Sequence, residues 1–242
     1  FEKQTAFFTE NEDRFDQIYD EMVKVRTEIA HKLGFENYVA FADTQMNRWD
    51  YDRSMIETYR REILEKVVPI TQKLYQRQAQ RNQLTQATFT DLPLVYPSGN
   101  AEPKGTPEEL VEKARVMYQE LSPETGEFFD FMVEHDLLDL LSKKGKQSGG
   151  YCTFIQDYQS PFIFANFNGT SGDVDVLTHE AGHAFQAFRS RWIKEPEILF
   201  PNYESCEIHS MWIEVIAWPW MDAFFEEETE KHKFAHLASS LQ

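Results

Sequence analysis

The sequence predicts a mainly α-helical fold with a small β element set directly before a histidine-bearing helix. Three observations lead there. Apolar residues recur at spacings of three and four over most of the chain, and two steps of the form Thr/Ser-Pro-Glu mark helix starts. One stretch of short β-branched and aromatic runs, residues 151–166, stands just ahead of His179-Glu180-Ala181-Gly182-His183.

Taken in order, a first helix is predicted from about Asn11 to Leu33, with Phe15, Ile18, Tyr19, Met22, Val25 and Ile29 on one stripe and Gly34 as its stop. A second covers Asn37 to Met46. A long one runs from Ser54 toward Leu84, kinked or divided by Pro69. The prolines and glycines of 88–105 make a loop. Thr106-Pro107-Glu108-Glu109 and Ser122-Pro123-Glu124 each place a cap, a first-turn proline and acids near the positive helix end. The second of these helices carries Phe128, Phe129, Met132 and Val133 and is expected to end near Leu141. After a polar linker, Lys143 to Gly150, two strands are predicted at Tyr151–Ile155 and Pro161–Asn166. A turn over 168–172 leads into a helix from Asp173 to about Ile193, and further helices cover Ser205 to Phe225 and Thr229 to Leu241. No internal boundary stands out. The expectation is one catalytic domain over 1–242, with 1–142 a helical portion and 143–242 the β element and the metal-binding helices.

The 242 residues carry a formal charge of −17, which repels phosphate backbones and excludes nucleic acid as a partner class. Solvated helix faces account for most of that charge. The most apolar window, Met211 to Phe225, is short and broken by Glu214, Pro219 and Asp222, so no membrane partner is expected. Two cysteines, Cys152 and Cys206, are too few for a disulfide framework and read as reduced thiols of a cytoplasmic protein. The chain starts at Phe1 without an initiator Met, which suggests a piece of something longer.

Histidines four apart on a helix share a face, so His179 and His183 are expected to reach one zinc ion. Glu180, the next residue, falls to the side of the metal, where a carboxylate takes a proton from an activated water. Composition alone yields such a spacing roughly 0.02 times in a chain of this length, so chance is a weak competitor. A catalytic zinc needs a third protein ligand. Glu207, Glu204 and Glu214 lie on one face of the next helix, and each is a candidate for that ligand or for a supporting hydrogen bond, against the alternative of a solvated acidic stripe. Asp175, one turn before His179, is a candidate to orient its imidazole or an ordinary first-turn acid. His209 faces elsewhere and suits a core or supporting role; His31, His135, His232 and His236 read as surface or capping residues. Gly149 and Gly150, beside Tyr151, would admit an extended peptide backbone along an exposed strand edge; the alternative is that the two strands are core elements beneath the histidine helix.

With these residues in view, the chain resembles the oligoendopeptidase F branch of the thimet oligopeptidase family of zinc metallopeptidases. The similar stretches are Phe164-Ala165-Asn166-Phe167-Asn168-Gly169-Thr170, Asp175-Val176-Leu177-Thr178 with the histidine motif, Glu207-Ile208-His209-Ser210, and Tyr96-Pro97-Ser98-Gly99-Asn100. The resemblance implies one Zn2+ per chain held by His179, His183 and Glu207, with Glu180 as general base and Glu214 as a supporting glutamate. It implies an endopeptidase acting on short oligopeptides, with the strand from Gly150 to Ile155 pairing with substrate. Family members extend beyond both ends of this chain, and their later part supplies tyrosine and histidine residues to the reaction. The rival expectation is a helical fragment that binds zinc or peptide without turnover.

Overall fold

The computed structural model describes residues 2–241, and within it two compact units, Phe1–Arg60 and Arg61–Gln242.

The first unit holds α1 (Glu2–Glu10), α2 (Glu12–Lys32), α3 (Tyr38–Gln45) and the start of α4 (Arg53–Glu62). α1 lay outside the predicted elements; its Phe7 and Phe8 meet Phe15 with ring centroids 6.2 and 5.3 Å apart. α2 stops where Gly34 predicts. Gly34 takes φ +83°, and the amides of Gly34 and Phe35 donate back to His31 O and Ala30 O at 3.0 and 2.9 Å, the double closure that a left-handed residue permits. Asn37 then caps α3 by accepting from the Ala40 amide at 3.0 Å.

In the second unit, Pro69 divides the long helix as expected. A π-helical turn over Ile63–Val67 precedes α5 (Val68–Arg81), whose first turn carries the proline and so loses no internal hydrogen bond to it. The loop over 88–105 is tied to α5 by Gln78, whose amide donates to Leu92 O and Leu94 O at 2.7 and 3.0 Å. α6 (Pro107–Leu121) begins with a reciprocal cap between Thr106 and Glu109, and α7 (Pro123–Glu134) with Ser122 accepting from the Thr125 amide. Tyr118, Phe128 and Phe129 are fully buried between these helices.

α7 ends at Glu134, short of the expected Leu141. Asp136 turns the chain with φ +55°, and Leu138–Leu141 leaves as β1, a third strand. The run Leu137-Leu138-Asp139-Leu140-Leu141 fits a helical stripe as well as a strand, and pairing with a partner segment decides between them. That partner is β3 (Ser160–Phe167), which lies between β1 and β2 (Tyr151–Ile155) in the order β1-β3-β2. β1 runs parallel to β3, with Leu138 opposite Ile163, and β2 antiparallel, with Cys152 opposite Ile163. β2 is therefore an edge strand packed along the next helix.

That helix is α8 (Gly172–Ser190); α9 (Pro196–Leu199) is a single turn, and α10 (Cys206–Ile216) follows. The helix expected over 205–225 breaks at Pro219, giving a 3-10 turn over Trp218–Trp220 and then α11 (Met221–Phe225). Glu226, at φ +48°, turns the chain toward α12 (Thr229–Ser239). Ile163, Ala165, Leu177, Ala181, Ala184, Ile213 and Phe224 join the α6–α7 aromatics in one core, so the sheet and α8 share a rigid floor. Among the described residues no helix is long and apolar enough to cross a membrane.

Candidate metal centre and its surroundings

The histidine helix is anchored at its start by a buried carboxylate. Asp173 accepts from the amides of Asn168 and Gly169 at 2.9 and 2.8 Å and so fixes the turn between β3 and α8. In the second turn, the buried Tyr118 hydroxyl donates to Leu177 O at 2.8 Å, pinning α8 to α6. About a turn and a half further on, at Gly182, α8 meets α10 almost backbone to backbone. A Cβ at Gly182 would come within 2.6 Å of Ser210 Cα and 3.2 Å of His209 O, so only glycine allows this approach.

That contact sets the donors. His179 Nε2 and His183 Nε2 lie 3.1 and 3.3 Å from the same oxygen, Glu207 Oε2. The three donor atoms all fall within 4.8 Å of one another, a spread that one ion can bridge, and two imidazoles with one carboxylate are a donor set that suits zinc. Ser210 Oγ donates to Glu207 Oε2 at 2.9 Å and steers that oxygen. Burial works to raise the Glu207 pKa, yet the Ser210 hydroxyl and the charge of His183 hold it below the usual carboxylate range.

Behind His179 stands Glu214, two turns after Glu207. His179 Nδ1 donates to Glu214 Oε1 at 2.5 Å, which fixes the imidazole tautomer and leaves Nε2 for the donor cluster. The other oxygen, Oε2, accepts from His236 Nε2, also at 2.5 Å. Against the cost of burial, these two hydrogen bonds lower the Glu214 carboxyl to about 2. Asp175 makes no hydrogen bond to His179, since Nδ1 is taken by Glu214. Burial instead raises Asp175 to about 6, moderated by the charge of His236 and reinforced by that of Glu214. Glu204 is exposed just before α10 and outside the donor cluster. His209 Nε2 lies 3.4 Å from His183 Nδ1, with the rings edge to face.

Glu180 is half-buried, and its carboxylate has no hydrogen-bond or ion-pair partner among the described residues. Its charge reaches Cys152 on β2, whose thiol is pushed up to about 12, first by burial and then by Glu180. Both cysteines are free, and Cys206 donates to Tyr203 O at 3.1 Å. Gly150 packs against Phe164 O and Val176, so β2 runs alongside α8 from Val176 toward Glu180. Gly149 stands at φ +96°, and Tyr151 is exposed and stacked on Phe164.

Two contributors escaped the sequence reading. His236, expected at the surface or as a cap, is half-buried with its side chain turned in against Glu214 and Trp218; His232, given the same expectation, is buried and stacked on Phe225 at 3.9 Å. Their spacing of four on α12 was the available signal, since two imidazoles on one helix face must meet something together. His31 and His135 do bond to backbone carbonyls at the surface.

Solved structures similar to this chain include a protein described as an oligoendopeptidase F from Bacillus anthracis str. Ames, at 52% identity and TM-score 0.93, over 98% of this chain and 44% of that one. PZ peptidase A with an inhibitor is as similar, at 52% identity and TM-score 0.93, over 98% of this chain and 42% of its own. A peptidase structure from Chlamydophila abortus shares the fold alone, at 18% identity and TM-score 0.61 over 98% of this chain and 38% of that one. The chain thus spans less than half the length of these structures. No curated protein matches it. Residues 122–242, which contain the sheet, the donor cluster and α12, match the profile of peptidase family M3, and the chain belongs to that family.

Proposed function

We propose that this chain is the metal-bearing part of a zinc-dependent endopeptidase that hydrolyses short oligopeptides. The observation that carries the proposal is the convergence of His179, His183 and Glu207 on one point, with the Glu180 carboxylate near enough for its charge to act on His179 and without a hydrogen-bond or ion-pair partner among the described residues. A zinc ion held by those three residues supplies Lewis-acid polarisation of the scissile carbonyl and brings the pKa of water toward about 7. Glu180 then acts as general base: it accepts a proton from the attacking water and returns it to the leaving amine. A carboxylate already committed to an ion pair would be a poorer base, which is why its lack of a partner matters. Glu214 keeps His179 in the tautomer that presents Nε2.

The free edge of β2 supports the substrate class. A peptide in extended form adds to such an edge through main-chain hydrogen bonds. This edge runs along α8 past Glu180, with Gly149, Gly150 and Tyr151 at its entrance. The names of the similar structures, an oligoendopeptidase and a PZ peptidase, describe peptide-cleaving proteins and agree with this reading. Two free thiols fit a reducing compartment such as the cytoplasm.

The test pairs metal content with turnover. Glu180→Gln is expected to retain zinc at the wild-type stoichiometry while cleavage of a short fluorogenic peptide falls by at least about 100-fold. Unchanged turnover in that variant sinks the mechanism, and a wild-type chain without zinc sinks the metal site.

A further inference from the structure

We infer that His236 is a positioning residue of the proposed metal centre, acting through Glu214 on His179. The inference rests on the zinc-site reading above and extends it to α12, an element that supplies none of the three proposed ligands.

The chain of contacts is continuous. His179 Nδ1 donates to Glu214 Oε1, and His236 Nε2 donates to Glu214 Oε2, each at 2.5 Å. The Glu214 side chain is only 12% exposed, so water has little access to its second oxygen. With one oxygen held, a carboxylate still turns about its terminal torsion, which is broad and roughly two-fold. With both held from opposite sides, its plane is fixed, and the His179 ring is fixed with it. Removing His236 would leave a buried carboxylate oxygen unpaired, a costly state that Glu214 would relieve by turning away from His179.

His236 is itself built to face one way. Its side chain is 9% exposed, its ring stands edge-on to Trp218 at 5.9 Å, and its Nδ1 is buried with no partner among the described residues. Nε2 is thus the only ring nitrogen engaged, and it is engaged by Glu214. α12 is held at both ends: the Tyr96 hydroxyl donates to Lys231 O at 3.4 Å, and the Thr71 hydroxyl to Leu241 O at 2.8 Å. The orientation of the first proposed ligand therefore depends on a helix that begins 50 residues after it.

The experiment measures zinc affinity of the 242-residue chain by competition with a chromophoric chelator, alongside melting of the metal-free form. His236→Leu, which removes the donor, is expected to weaken zinc binding by about 10- to 100-fold. His236→Gln, whose amide reaches the Nε2 position, should recover most of that loss while the two metal-free variants melt alike. In a Glu214→Gln background, His236→Leu should change affinity by less than about two-fold, because the path is already cut. Wild-type affinity in His236→Leu, or equal losses in the Leu and Gln variants, overturns the inference and leaves the metal site standing. A wild-type chain that binds no zinc overturns both.

Discussion

Gly182 of α8 and Ser210 of α10 approach so closely that the space for a single methyl group is missing between them. The Cβ that any other residue would carry falls 2.6 Å from Ser210 Cα, a backbone atom that cannot swing aside. This contact brings Glu207, one turn before Ser210, to within 3.3 Å of both motif histidines.

Gly182→Ala should therefore act on stability and on metal binding together. Overpacking of this kind costs about 1–3 kcal/mol, and relief by separating the helices carries Glu207 away from His179 and His183. The expected outcome is a lower midpoint in urea and weaker zinc binding. A variant that melts earlier but binds zinc as the wild type does would show that the helices separate without moving Glu207.

Loss of the proposed third ligand should be read most clearly through ligand-linked stability. A metal that binds only the folded chain stabilises it by about 2.7 kcal/mol at 100 times its dissociation constant. Adding zinc should raise the melting temperature of the wild type and do so far less for Glu207→Ala. Chelator should cancel the difference between the two. Equal zinc-induced shifts would remove Glu207 from the ligand set.

Asp173 is expected to matter for the folding of α8. Its buried carboxylate is the acceptor for two loop amides, and Asp173→Ala leaves both without a partner. Both amides belong to exposed loop residues, so water takes over part of what is lost, and the cost of removing the charged acceptor is about 1.5–3 kcal/mol in all. Chemical denaturation should show a loss in that range, and Asp173→Asn, which keeps one acceptor oxygen, should lose less.

His232 predicts part of the acid limb of stability. Burial, and then the charge of His236, lowers its pKa from 6.5 to about 4 in the folded state. Because the folded pKa lies below the unfolded value, the stabilisation is fully present above pH 6.5 and is lost as pH falls toward 4, to a total on the order of 3 kcal/mol. His232→Leu should flatten the stability curve across that window relative to the wild type. Parallel curves would mean that His232 protonates in the folded state without penalty.

The helix caps, the stop at Gly34, the break at Pro69 and the pairing of His179 with His183 were all legible in the sequence. Each rests on chemistry between residues at most a few positions apart: a side chain reaching a nearby amide, a φ angle only glycine takes easily, a ring that blocks one hydrogen bond, two side chains one turn apart. Tertiary structure decided the rest. Leu138–Leu141 became a strand because β3 offered it backbone partners. Among Glu204, Glu207 and Glu214, which share a stripe in sequence, the crossing at Gly182 put Glu207 among the donors and Glu214 behind His179. His236 joined them from α12, 22 residues from Glu214, which is itself 35 from His179. Local spacing determines which way a side chain points along its own helix, but the partner it meets depends on how helices cross, and that is set by the packing of the whole core.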